Sequence, residues 1–505
     1  MTRLTRNLIA NVTGQGLVLV LSVIAVRFIF RHLGDDVFGI IFFNIVLTQL
    51  VTSALELGVS ATIVREVSSH LDTEPGYVRS VIGTASTLYW GAGVLLVVLI
   101  WLVAPFLVTH WVNLTSLDPN TAATMLRIMS ATSLVVLPKA LYTSIFRGRQ
   151  LMHINNSIDV IATAVQQGGI LAVLVSGGQA YAVAVWISVS ALLSVAAYVL
   201  MAARQVGWRT LAPSFSREVV RRNLGFTGGM MVISILSLVH IQAAQVIVSK
   251  LVPIAQFGFY SFASNTVNRG SFVTTAAAQA AFPSFSALHA SGDRYGLMQQ
   301  YRKLQDLVCF GVLPLFAGIC FAALPVYTFV FNESVAGRLL LPTAFLALGS
   351  WMNGTLNMPY MMSIAMGRPQ IAARTNVYAL FVVLPVTAAL IAVYGLPGAA
   401  FSWVFYHLFM YAYMVPRIAR ECLDLPPWPW FVQVLKVLGL AGSTYGIAWL
   451  AVTATGMFTL PVLAVAYLLG SIGFALGAYL MIGSDLRETL QRMRGSLLTR
   501  KANVM

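Results

Sequence analysis

Charged side chains are scarce in this 505-residue chain: 31 Lys/Arg and 16 Asp/Glu make up only 9% of it, against roughly 25% in soluble domains. With 58% hydrophobic residues and a mean hydropathy of +0.81, too few charges remain to cover a water-facing surface. A multidomain soluble enzyme and a disordered chain are both excluded. Cysteine is nearly missing as well. Cys309 and Cys320 are eleven residues apart on one expected helix, ~16 Å by helix rise and beyond disulfide reach. With Cys422 alone besides, neither a disulfide scaffold nor a CxxC metal site is expected. No HExxH, P-loop or GxSxG motif occurs in a context that would support it.

What the chain has instead is apolar runs long enough to cross a bilayer, which takes about 20 residues of helix. Fourteen are read, at roughly 8–30, 38–62, 80–110, 120–146, 153–175, 180–201, 223–248, 256–286, 304–331, 339–365, 371–393, 398–415, 431–455 and 461–482. Backbone polar groups find no partner in hydrocarbon, so the runs must be helices. The first follows Arg3 and Arg6 like a signal peptide, but it is too long for a signal core and reads as an uncleaved span.

The loops alternate in charge. One set, comprising the N-terminus, 65–79, 147–152, 202–222, 287–303, 366–374, 416–430 and the C-terminal tail, holds 23 Lys/Arg. The intervening loops hold only Arg31, Lys250 and Arg338. Cationic loops stay cytoplasmic, so both termini are expected inside. The net charge of +15 is thus mostly the charge that orients helices, and a nucleic-acid partner is not implied. The outer loops are too short to house an extracytoplasmic catalytic domain.

Shifting the chain by 219 residues brings Phe38-Gly39 onto Phe257-Gly258, Arg31 onto Lys250, and Gly148-Arg149 onto Gly367-Arg368. Arg6-Asn7 matches Arg222-Asn223 with a three-residue slip. Six spans return the chain to its starting side, so two parallel repeats related by a pseudo-twofold axis along the membrane normal are expected, an architecture of transporters. The chain then reads as an N-terminal six-helix lobe (1–205), a basic cytoplasmic linker (206–222), a C-terminal six-helix lobe (223–420), a helix pair (421–485) and a basic cytoplasmic tail (486–505). The fold class is an all-α polytopic membrane protein with 14 transmembrane helices.

Arg6-Asn7, Leu33-Gly34-Asp35-Asp36-Val37-Phe38-Gly39, and Leu55-Glu56-Leu57-Gly58-Val59-Ser60 leading to Arg65-Glu66 resemble the multidrug/oligosaccharidyl-lipid/polysaccharide exporter superfamily. Within it they look most like the polysaccharide branch of O-antigen and exopolysaccharide flippases. That resemblance implies movement of an undecaprenyl-diphosphate-linked oligosaccharide from the cytoplasmic to the outer leaflet of the bacterial inner membrane by alternating access. The implied partners are the lipid-diphosphate-linked glycan, membrane lipids and polysaccharide polymerase or export machinery. A monomer without a cofactor is expected, save a coupling H+ or Na+. The arginine-rich early motifs of lipid II flippases are not seen. That cargo, a multidrug exporter of the same fold and a membrane-bound polymerase or ligase are the alternatives.

Ionisable groups inside spans cost at least ~2.5–3.5 kcal/mol each, which makes each one kept a functional candidate. Arg269 lies mid-span, and Ser261, Asn265 and Asn268 share an arc of ~100° with it. Its guanidinium suits a diphosphate or an ion pair with Glu56 or Asp159. Asn156, Asp159, Thr163 and Gln166 form a second stripe within ~80°. Asp159 is read either as a proton- or Na+-coupling carboxylate or as a partner for Lys139 or Arg269. Glu56 either lines an inner gate in the coupling path or holds its helix to a neighbour. Lys139 follows Pro138, where a kink is expected, and either moves with a gate or snorkels to the surface. Arg27 points ~160° from the polar stripe of its span, as an interfacial anchor would, although the resemblance draws it toward the cargo path. Asn353 and Asn357 align with Ser350 and Tyr360 and would meet sugars or glue helices.

A reporter active only in the periplasm, fused after residue 210, is expected to give no signal; a strong signal would invert the topology.

Overall fold

Hydrocarbon offers backbone N–H and C=O groups no outside partner, so every spanning segment must satisfy its own. The computed structural model, described over residues 20–71, 73–483 and 485–488, meets this with helices throughout. They are α1 (20–33), α2 (Asp35–His70), α3 (Pro75–Phe106), α4 (Pro119–Met129), α5 (Ser133–Gly148), α6 (Met152–Val175), α7 (Ala180–Val206), the single turn α8 (Trp208–Leu211), α9 (Arg217–Leu251) and α10 (Ile254–Ala290). Then follow α11 (Arg294–Gly311), α12 (Leu313–Val330), α13 (Glu333–Ala365), α14 (Gln370–Tyr394), α15 (Leu396–Ile418), α16 (Trp428–Ala441), α17 (Ile447–Thr455) and α18 (Leu460–Met481). The start of the first expected span, the pair Arg6-Asn7 and the basic tail from residue 489 lie outside the described residues.

Among the described residues, nine helical segments are long and apolar enough to cross a membrane: Pro75–Trp111, Pro119–Gly148, Met152–Val175, Ala180–Val206, Arg294–Val330, Glu333–Ala365, Gln370–Tyr394, Trp428–Thr455 and Leu460–Met481. Their outward faces carry Leu95, Trp101 and Leu102 on α3, Phe381 on α14, and Leu476 and Leu480 on α18, all exposed. Such apolar expanses suit lipid and would be a liability in water. The chain is a multi-pass, all-helical membrane protein.

Several expected spans are interrupted in ways the apolar pattern does not reveal. The run at 120–146 breaks into α4 and α5 across a 3₁₀ turn at Ser130–Thr132. The run at 304–331 breaks at Val312, where Pro314 sits in the first turn of α12. Wide π turns end α3 at Leu107–Trp111 and join α16 to α17 at Gly442–Gly446.

Two compact units divide the chain, Met1–Phe259 and Tyr260–Met505. In the first, α2 packs against α5 and α9, α3 against α5, and α6 against α7. The core under these contacts includes Ile63, Val78, Ile82, Leu141, Phe146 and Tyr198. In the second, α13 and α14 both pack on α15, α12 bridges α13 and α18, and α11 touches α13 and α16.

Three joints fix the first unit, and each uses a motif singled out above. At Gly39 a Cβ would stand 2.3 Å from the Ile254 carbonyl oxygen, and at Gly258 one would stand 2.9 Å from the Gly39 Cα. The two Phe-Gly pairs that share the 219-residue offset therefore face each other, with Phe43 6.0 Å from Phe257 and Phe38 5.9 Å from Phe259 between ring centroids. The second joint is Asp36, which the sequence places in an outer loop but the fold buries to 2% exposure. It accepts from the N–H groups of Thr115, Ser116 and Leu117 at 2.6–2.9 Å and from the Thr115 hydroxyl at 2.8 Å. Burial pulls its carboxyl up, but these hydrogen bonds together hold it below the ordinary range. Its stabilisation is accordingly present above the unfolded pKa near ~3.9 and fades as pH falls through the lowered native value.

The third joint is where α2 ends. Glu66, 3% exposed, is gripped by Arg65 at 2.5 Å and faces His70 at 3.1 Å. Arg65 also donates to Asn223 Oδ1 at 2.8 Å, and Asn223 Nδ2 donates to the Tyr77 hydroxyl at 3.1 Å. α2, α3 and α9 are tied together there.

Gly39→Ala should lower unfolding stability in detergent by about 1–3 kcal/mol, the usual cost of overpacking. Gly91→Ala, whose Cβ would meet nothing within 4 Å, is the neutral control. Equal melting temperatures for the two variants would contradict the close approach.

Candidate functional site

Helical spacing places Lys139 and Thr143 one turn apart on α5, and Asn155 and Asp159 one turn apart on α6. The two pairs meet. Lys139 Nζ lies 2.5 Å from Asp159 Oδ1, and Thr143 Oγ1 donates to Asn155 Oδ1 at 3.2 Å. Tyr198 of α7, fully buried, forms the floor. Its hydroxyl stands 2.7 Å from Asn155 Oδ1 and 2.9 Å from Asp159 Oδ1, donating to one at a time. The Lys139 ammonium sits 5.3 Å from the Tyr198 ring centroid, adding a cation–π contact.

The mouth of this cluster is open, with the Lys139 and Asp159 side chains 34% and 36% exposed. Only one oxygen of Asp159 is occupied; its Oδ2 has no hydrogen-bond partner among the described residues. Of the two readings of Asp159, the ion pair with Lys139 is present.

Of the remaining candidates, Arg269, Asn265, Asn268, Asn353 and Asn357 belong to the second unit. Arg269, on α10, is exposed and has neither an ion pair nor a hydrogen bond among the described residues. Its neighbour Gly270 would place a Cβ 3.0 Å from Phe316, so α10 lies close on α12 there. Asn265 donates to the Ser261 carbonyl at 2.9 Å, and Asn268 reaches Ser264 Oγ at 3.5 Å; both amides turn back onto their own helix. Asn353 and Asn357 are half-buried on α13. Asn357 Nδ2 is buried without a partner among the described residues. Arg27 is half-buried on α1 and engaged with other groups. The Glu56 side chain lies outside the described residues.

Tyr198 and Asn155 were missed from the sequence. Asn156 lay on the expected stripe, but the network uses Asn155, one residue over and 7% exposed. The spacing of four between Asn155 and Asp159, matched by Lys139 and Thr143, is the signal that was available. Thr163 spends its hydroxyl on the Asp159 carbonyl at 2.7 Å. His407 is a core histidine, donating from Nδ1 to the Trp403 carbonyl at 2.7 Å.

Residues 4–289 match the family model described as polysaccharide biosynthesis protein. A putative O-antigen transporter from Shigella flexneri is 23% identical over 410 residues, which are 79% of this chain and 93% of that protein. Among solved structures, the lipid II flippase MurJ in an inward closed conformation is similar with a TM-score of 0.70 at 13% identity, covering 94% of this chain and 98% of that one. An inward-facing multidrug resistance MATE family transporter of the MOP superfamily gives a TM-score of 0.63 at 14% identity, over 81% of this chain and 95% of the other. At these identities the structures speak to the fold alone.

Lys139→Met or Asp159→Asn alone leaves one partner uncompensated, whereas the double variant removes both charges. Each single change should cost about 1–2 kcal/mol, less than a fully buried pair because of the exposure. The double variant should recover part of this in a double-mutant cycle. Strict additivity of the two costs would contradict a coupled pair.

Proposed function

Because the chain belongs to the polysaccharide biosynthesis protein family, we propose that it is a flippase for a lipid-diphosphate-linked oligosaccharide. It moves an O-antigen or exopolysaccharide repeat unit from the cytoplasmic to the outer leaflet of a bacterial inner membrane by alternating access. The family match and a relative aligned over most of both chains support the cargo class. The observation that carries the reading is Arg269: a guanidinium kept mid-helix among Ser261, Asn265 and Asn268, exposed and with no protein carboxylate on it among the described residues. A permanent cation so placed is expensive in a membrane unless it meets an anion, and a bidentate guanidinium–phosphate contact is the strong form of that meeting.

Fourteen spans in two pseudo-twofold repeats, with both termini cytoplasmic, belong to the same proposal. Two corresponding joints support the repeat. Arg149, after α5, reaches the Gln205 carbonyl near the end of α7; Arg368, at the shared offset after α13, reaches Glu421 Oε2 beyond α15 at 3.2 Å. Asp159 is the group we assign to ion coupling, exchanging Lys139 for H+ or Na+ at its open oxygen. The polysaccharide polymerase is the expected recipient of the product.

In cells lacking the chromosomal copy, Arg269→Ala should abolish surface polysaccharide while the protein stays folded in the membrane. Normal surface polysaccharide in that variant would sink the diphosphate contact. Asp159→Asn should remove the pH or Na+ dependence of export, and an unchanged dependence would place coupling elsewhere.

A further inference from the structure

The second unit contains a cavity of about 530 Å³, within the size range of small-ligand sites, and none of the candidate residues described above lines it. α11, α15, α16 and the segment after α18 form most of its wall. Its lining carries three cations, Arg302 and Lys303 on α11 and Lys436 on α16, together with apolar Phe310, Pro426 and Trp430. Two carboxylates also line it, and both are already engaged. Asp306 accepts from the Gly483 N–H at 2.8 Å and from Gln433 Nε2, and Asp485 accepts from Gln299 Nε2 at 3.0 Å. None of the three cations forms an ion pair among the described residues.

A cavity lined by three cations without ion pairs among the described residues, with its carboxylates already engaged, favours an oxyanion. The surface beside it is apolar: Trp428, Leu435 and Leu480 are 66%, 60% and 76% exposed. Charges flanked by exposed leucine and tryptophan mark the level where headgroups meet hydrocarbon.

We propose that this cavity binds the phosphate headgroup of an anionic membrane lipid, with Lys303, Lys436 and Arg302 on the phosphate and the glycerol end against Pro426 and Trp430. Because the cations come from α11 and α16, the headgroup staples the C-terminal helices α16–α18 to the bundle of the second unit. This site uses none of the residues proposed to meet the cargo and needs no assumption about the oligosaccharide.

Native mass spectrometry of the full-length protein in mild detergent tests it, using phosphatidylglycerol, phosphatidylcholine and inorganic phosphate as probes. Wild type should retain phosphatidylglycerol in preference to phosphatidylcholine. The Lys303→Gln/Lys436→Gln variant should lose about tenfold of that retention, while Lys303→Arg/Lys436→Arg keeps it and shows that the loss follows charge, not folding. Equal retention by wild type and the Gln variant, or equal retention of the two lipids, would overturn the site. Full displacement of phosphatidylglycerol by millimolar inorganic phosphate would overturn the lipid as ligand in favour of a free anion.

Discussion

No side chain fits where α2 passes Ile254 at Gly39, and the arrangement of the first unit follows from that approach. With backbone against backbone, α2 can lie along α9, and the corner joining α9 to α10 is held within reach of the loop after α3. There Asn113 Nδ2 donates to the Lys250 carbonyl at 2.8 Å, the Ile254 N–H donates to the Asn113 carbonyl at 2.9 Å, and Trp111 Nε1 donates to Ser249 Oγ at 3.0 Å. The same loop, two residues on, cradles Asp36. In hydrocarbon, burial of apolar area contributes little to helix association, so close backbone approach and hydrogen bonds must do more of the work. A side chain at position 39 or 258 would loosen all of these contacts together.

Among the described residues, several positions of the motifs that carried the resemblance are joints. Gly34, at φ 83°, turns the chain between α1 and α2; Asp36 anchors the loop beyond α3; Arg65-Glu66 and Asn223 clamp the opposite end of α2. Such positions are visible in sequence because a joint constrains residue type locally. The helices themselves were legible for the same reason the bilayer is selective: apolar runs of about 20 residues leave the backbone no other solution. Their ends were less so. α2 runs from Asp35 to His70, well past the apolar run at 38–62, since a helix continues into water wherever its polar residues find partners.

The candidate site was half legible. Charges in apolar runs stand out by their cost, and Lys139, Asp159 and Arg269 were found that way. What they touch was not, because partners across helices depend on rotation about each axis. A shift of one residue replaced Asn156 with Asn155, and nothing in the sequence connects Tyr198 to a carboxylate 39 residues earlier. Lys139 and Asp159 satisfy each other and stay partly exposed, whereas Arg269 has no protein partner among the described residues; the roles proposed for them rest on that difference.

The most direct test of the proposed flippase activity is translocation in proteoliposomes containing only the purified protein and an undecaprenyl-diphosphate oligosaccharide labelled on its sugar. A flippase makes label in the inner leaflet accessible to an external lectin at a rate proportional to protein content, while a small cationic drug in the same vesicles stays put. Drug movement without any protein-dependent exposure of the glycan would contradict the account and make the chain an exporter of another cargo.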